Sequence, residues 1–264
     1  MPDGLGLAVL LFLAAVLYTS VGHAGASGYL AVFAFYDLPA EVIRPAALVL
    51  NIVAATPATL RFRSAGHFDR RVFLTLAVGS VPMAFLGGQF TLSDAVFRGL
   101  LASALTVAGV RLVFTPAAAV TVRRMPVWAG VALGLGIGSV AGLTGIGGGV
   151  YLTPVLLLAR WADTKTAAGV SAAFILVNSL AGLAGQLATR PGNFRGLPDG
   201  LPVWVGVVVA GGLLGSTLGS RVFGAVTVRR VLAVVLFTAA GMLLLAEKKA
   251  EPQPAHQPAT GANG

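Results

Sequence analysis

Gly142-Leu143-Thr144-Gly145-Ile146-Gly147-Gly148-Gly149, "GLTGIGGG", interrupts an apolar run that extends from Val127 to Ala159. Five of these eight residues are glycine. Each glycine weakens a helix by roughly 1 kcal/mol relative to alanine. The run is longer than the ~20 residues that one bilayer crossing takes. It therefore reads as a membrane helix that stops and restarts, with the interruption placed where the backbone is free to adopt unusual dihedrals.

The rest of the chain agrees. It has 264 residues, 56% hydrophobic and 10% charged, with a mean hydropathy of +0.88, far above a soluble domain. Apolar runs at 5–36, 42–60, 72–92, 95–118, 127–159, 167–189, 201–219 and 226–246 predict an all-α polytopic membrane protein with about eight transmembrane helices. The 18 Lys and Arg residues behind the net charge of +9 fall mainly between these runs, as membrane-flanking charge does, so nucleic acid is not an expected partner. The chain has no cysteine, and His23, His67 and His256 are scattered, which leaves no thiol chemistry and no expected metal centre or cofactor. Met1-Pro2-Asp3 lacks the positive side chain of a secretory n-region, so the first run is expected to stay as a membrane segment.

The chain also repeats itself. At an offset of 120, Gly22, Gly25 and Gly28 fall on Gly142, Gly145 and Gly148. At 127, "AEVIRPAALVLNIVAA" (Ala40–Ala55) lies over "AAGVSAAFILVNSLAG" (Ala167–Gly182), which pairs Asn51 with Asn178 and Arg44 with Ser171. At 132, Gly79, Leu86, Gly87 and Arg98 fall on Gly211, Leu218, Gly219 and Arg230. The predicted organisation is two homologous four-span repeats, at 1–115 and 127–246, joined by a loop at 116–126 and followed by a disordered polar tail at 247–264. The first helix of each repeat is broken by glycines. Corresponding interrupted helices point to the binding site of a secondary transporter. An even number of spans per repeat gives both repeats one orientation, unless a broken segment hides a further crossing.

If each run crosses once and the amino terminus is inside, that side holds Arg61, Arg63, Arg70, Arg71, Arg111, Arg123, Arg124, Arg190, Arg195, Lys248 and Lys249, eleven in all. The other side holds seven: Arg44, Arg98, Arg160, Lys165, Arg221, Arg229 and Arg230. The positive-inside rule then places both termini in the cytoplasm, with the chain in the cell (inner) membrane.

No Asp or Glu lies within the apolar runs, which argues against a carboxylate relay or a cation site. The polar groups there are His23, Ser27, Asn51, Thr144, Thr153, Ser171, Asn178 and Gln186, with Arg44 near a span start. Such a set suits an anion. A helix that restarts inside the bilayer presents free N–H groups carrying roughly half a positive charge, and glycine lets a substrate approach them closely. The candidate substrate-binding residues are Gly22, His23, Gly25, Ser27, Arg44, Asn51, Thr144, Gly145, Gly147, Gly148, Gly149, Ser171 and Asn178. The glycines would serve equally as small residues for close helix packing, and the asparagines as interhelical hydrogen-bond glue. Arg44 either pairs with Glu41 at the membrane surface or forks onto substrate oxygens. His23 is a structural hydrogen-bonding residue or a proton carrier.

"GLTGIGGGVYLTPVLLL" (142–158) and "DTKTAAGVSAAFILVNSLAG" (163–182) resemble the TauE/SafE sulfite-exporter family of membrane transporters. The match falls on Gly145, Gly147, Gly148, Gly149 and Pro154, with Ser171 at the family's usual serine and Val170 replacing its threonine. The first half departs, with "GHAGASG" at 22–28 and Arg44 where a hydroxyl is usual. The resemblance implies about eight spans and passage of sulfite, a sulfonate or a related small organic anion. Expected partners are that anion and the lipid bilayer, and a homo-oligomer is compatible with the chain.

Three other readings compete. Gly25-Ala26-Ser27-Gly28 matches the GxSG of intramembrane serine proteases, which also need a histidine base. Gly145-Ile146-Gly147 lacks the preceding soluble strand of a dinucleotide site. A membrane assembly factor would carry no solute at all.

Overall fold

The computed structural model describes residues 4–36, 40–90, 121–189, 192, 197–228, 230–231, 233–234 and 237. The expected span at 95–118, most of that at 226–246, the start of the inter-repeat loop and the tail lie outside the described residues. The described residues are helical, without strands: α1 Gly4–Ser20, α2 Ala26–Phe35, α3 Ala40–Ser64, α4 Arg70–Gly88, α5 Val127–Thr144, α6 Gly149–Leu158, α7 Thr164–Thr189 and α8 Leu201–Thr217, continued by a π turn, Leu218–Val222. Among the described residues, five helical segments are long and apolar enough to cross a membrane: Pro45–Ser64, Arg70–Gly88, Val127–Thr144, Thr164–Thr189 and Leu201–Val222. Only intrahelical hydrogen bonding satisfies such backbones in lipid.

Both predicted breaks are present, at 21–25 and 145–148. Each does more than interrupt a helix: the chain reverses. The Arg123 N–H, ahead of α5, donates to the Arg160 carbonyl, beyond α6, at 2.7 Å. A continuous helix would have carried those residues tens of ångströms apart at 1.5 Å per residue. At the other break, a β-carbon on Gly28 would meet Tyr18 and Ala14, while the Phe33 ring packs, tilted by 41°, with its centre 5.1 Å from that of Trp204 in the first turn of α8. Thus α1–α2 and α5–α6 are helical hairpins. In each, the chain after the break runs back along the segment before it.

Helix directions follow from close contacts. Along α5, Gly134, Gly138 and Gly142 press against the backbone carbonyls of Leu76, Ser80 and Ala84 of α4, so α4 and α5 run parallel. Gly211, Gly215 and Gly219 meet the carbonyls of Phe12, Val16 and Ser20, so α8 and its π turn run parallel to α1. The absence of a side chain at every fourth position lets the backbones approach to contact, the membrane equivalent of small-xxx-small packing. Gly169, near the start of α7, meets the carbonyl of His67, just beyond the end of α3, so α3 and α7 are antiparallel.

One rim of this bundle gathers the ends of α1, α3, α6 and the π turn with the starts of α4, α5 and α7. Lys165 Nζ donates to the Ser220 carbonyl at 3.3 Å, and Arg221 donates to Ser64 Oγ at 3.5 Å. This corrects the grouping expected from alternate spans: Arg160, Lys165 and Arg221 join Arg61, Arg63, Arg70, Arg71, Arg123 and Arg124 on one face, and α1 begins at the other. The span count failed because a hairpin returns to the side it left.

Two aspartates cap helices on this rim. Asp69 Oδ1 accepts the Arg71 and Val72 N–H groups at the start of α4, at 2.8 and 3.0 Å. Asp163 Oδ1 accepts from the Lys165 and Thr166 N–H groups, each at 3.0 Å, and Oδ2 from the Thr166 hydroxyl at 2.6 Å. Partial burial raises the Asp163 pKa, but these hydrogen bonds and nearby His67 outweigh it and leave the carboxyl below its ordinary 3.8. A depressed folded pKa means the stabilisation is complete above the unfolded value and disappears as pH falls through the folded one. Asp163→Ala is expected to lose about 1 kcal/mol at neutral pH, measured by thermal unfolding, with the difference from the parent chain shrinking as pH falls through the depressed folded-state pKa.

Candidate functional site

The second break is built by glycine conformation. Gly145 ends α5 in the left-handed region (φ 74°), its N–H bonding to the Ala141 carbonyl at 2.9 Å. Gly147 and Gly148 follow at φ 76° and 80°, where a side chain would be strained. The Thr144 hydroxyl accepts the Ile146 N–H at 3.2 Å. Among the described residues, the N–H groups of Gly147, Gly148, Gly149 and Val150 have no acceptor, as expected at the start of a helix.

Two polar side chains face this start. A β-carbon on Gly147 would lie 2.8 Å from Ile175 Cγ2, 2.9 Å from Ser179 Oγ and 3.4 Å from Asn51 Nδ2. Asn51 and Ser179 are both fully buried, and neither amide atom of Asn51 nor Ser179 Oγ has a hydrogen-bond partner. Leaving a buried polar group unsatisfied costs about 1–3 kcal/mol. The point where α3, α6 and α7 converge therefore holds unused hydrogen-bonding capacity, all of it neutral.

The first break is occupied differently. Ser27 Oγ donates to Tyr18 Oη at 3.1 Å, and Tyr29 Oη donates to the Ala24 carbonyl at 2.6 Å. His23 is fully buried, with Nε2 2.9 Å from Thr153 Oγ1, and the Thr153 hydroxyl donates to Ser171 Oγ at 2.6 Å. This chain ties the tip of one hairpin to the returning arm of the other and to α7. The apolar groups follow suit: Val21 of the first break and Ile146 of the second share one cluster with Tyr18, Ala26 and Val150. The breaks nevertheless sit at different levels of α7: Gly22 lies against Ala168, near its start, and Gly147 against Ile175 and Ser179, further along. Ser27 and His23 have other partners and form no dyad.

The expected site residues thus divide. Gly147, Gly148, Gly149 and Asn51 meet at the second break, with Thr144 and Gly145 shaping its entrance. His23 and Ser171 are joined through Thr153. Gly22 seats the first break against the backbone of Ala168, and Gly25 is covered by the Tyr29 ring. Asn178 is buried with Nδ2 donating to the Phe174 carbonyl at 2.9 Å, within its own helix. The Arg44 side chain lies outside the described residues. Sequence reasoning placed neither Ser179 nor Thr153 in the site. Their repeat counterparts are Ile52 and Phe33, so symmetry carried no signal for them.

Residues 7–244 match the family described as "Sulfite exporter TauE/SafE". The chain is 35% identical over 248 residues to "Probable membrane transporter protein y4hK" of Sinorhizobium fredii (strain NBRC 101917 / NGR234), covering 92% of this chain and 98% of that protein. No solved structure matches the chain.

Proposed function

Because the chain belongs to the TauE/SafE sulfite exporter family of membrane transporters, we propose that it is a secondary transporter moving a small oxyanion across the inner membrane, and that the break before α6 is where the anion binds. The substrate class is sulfite, a sulfonate or a related organic anion, and the protein is not an enzyme. The observation that carries this reading is Asn51: fully buried, both amide atoms unpartnered, and with Nδ2 3.4 Å from where a β-carbon on Gly147 would lie, at a helix start whose first N–H groups have no acceptor among the described residues. An oxyanion there takes hydrogen bonds from the backbone, the amide and the Ser179 hydroxyl, and the helix dipole favours its charge.

The eight-span, two-repeat architecture is part of the proposal. The packing of α4 on α5 corresponds to that of α8 on α1, and the antiparallel run of α3 and α7 supports an inverted repeat in which one hairpin enters from each side. Rocking of one half against the other would expose the site alternately. An inside-negative potential of 100 mV favours exit of a monovalent anion by about 2.3 kcal/mol, so export needs no coupling ion.

Proteoliposome flux of sulfite, sulfate, thiosulfate, taurine, sulfoacetate and acetate tests this. Asn51→Ala should weaken the apparent affinity for the transported anion about 10–100-fold, the worth of hydrogen bonds to a charged group. Asn51→Asp should abolish flux by placing a like charge in the site. Unchanged flux in both variants removes the site, and no flux of any anion by the parent chain removes the transport reading.

A further inference from the structure

The basic rim carries more information than its net charge. It bears Arg61, Arg63, Arg70, Arg71, Arg123, Arg124, Arg160, Lys165 and Arg221, and of the Lys and Arg side chains among the described residues only Arg230 lies outside this set. Its acids are Asp69 and Asp163, and both spend their oxygens on helix N-termini. Among the described residues, none of these cations forms an ion pair with a carboxylate. Lys165 and Arg221 reach across to Ser220 and Ser64, and the Arg63 guanidinium lies 5.9 Å from the centre of the Phe68 ring. The opposite rim, where α1 and α8 begin and α2, α4 and α7 end, presents Asp199 and no described Lys or Arg side chain.

We infer that the basic rim is the cytoplasmic face, seated among the anionic headgroups of the inner leaflet, and that the amino-terminal end of α1 is extracytoplasmic. Positively charged segments are retained on the cytoplasmic side during insertion, and anionic lipids there attract them. The cations match that partner, since among the described residues no carboxylate pairs with them. The alternate-span count pointed the other way only because it took each hairpin for one crossing. It follows that α1–α2 enters the membrane from outside and α5–α6 from the cytoplasm. None of this depends on which solute is carried.

The chain contains no cysteine, so single cysteines report without background. Leu5, 79% exposed, and Asp199 mark one rim, while Ser64 and Val122, 53% exposed, mark the other without removing a cation. With a membrane-impermeant maleimide on intact cells, Leu5→Cys and Asp199→Cys should label at least about tenfold faster than Ser64→Cys and Val122→Cys, and inverted membrane vesicles should show the reverse order. The opposite pattern would overturn the inference, and equal labelling of both rims in both preparations would overturn it as well. In Leu5→Cys, changing Arg61, Arg63, Arg70 and Arg71 together to Gln should give mixed labelling. Unchanged labelling would show that these cations do not set the orientation.

Discussion

Replacing Gly147 with alanine is expected to reduce anion flux by about 100-fold while the protein still folds. Two effects add. The residue sits at φ 76°, and a side chain in the left-handed region costs roughly 1–2 kcal/mol. The new methyl group would also lie 2.9 Å from Ser179 Oγ and 3.4 Å from Asn51 Nδ2, in the space assigned to the anion. Gly148→Ala separates these effects. Its backbone carries the same strain at φ 80°, but its methyl group would meet Ile137 and Phe174, on the apolar side of the break. Both variants should lose similar thermal stability, while the loss of flux should be at least about tenfold larger for Gly147→Ala. Equal losses of flux would mean that strain, and not occupation of the site, explains the defect.

The largest effect on stability is expected from Gly138→Leu. A β-carbon there would overlap the backbone of Ser80, and no rotamer relieves a clash with a main chain. Overpacking of this kind costs about 1–3 kcal/mol, which corresponds to a fall in Tm of roughly 2–12 °C for a chain of this size, and more if α4 and α5 separate. Gly136 lies on the same helix with nothing within 4 Å of its β-position. Gly136→Leu should therefore leave the melting temperature in detergent within about 1 °C of the parent. Equal destabilisation by both would show that helix propensity, not backbone contact, is what these glycines control.

How much of this was legible beforehand depends on the range over which each signal acts. The helices follow from apolar runs, because a backbone in lipid has to satisfy itself within its own segment. The positions of both breaks follow from local glycine density, and Asn51 was picked out because an amide is costly in an apolar run. Ser179 was passed over because a hydroxyl in a helix can bond to its own backbone and so draws little notice. Only its approach to Gly147, from a different helix, gives it significance.

Direction was the harder quantity. Hydropathy measures the length of an apolar run and says nothing about whether the chain turns within it, so 5–36 and 127–159 each read as one broken crossing. Likewise, glycine at every fourth position from 130 to 142 was visible as a pattern, but the partner it packs against was not. By itself the sequence determined an all-helical membrane chain of the TauE/SafE family, broken twice by glycine and free of acids in its apolar runs, since composition and local conformation act over a few residues. The tertiary structure alone decided that the breaks are hairpin turns, that nine cations share one rim, and that Asn51 and Ser179 meet at Gly147. Those facts rest on contacts between helices far apart in the chain, and such contacts depend on how whole segments pack rather than on any one segment's residues.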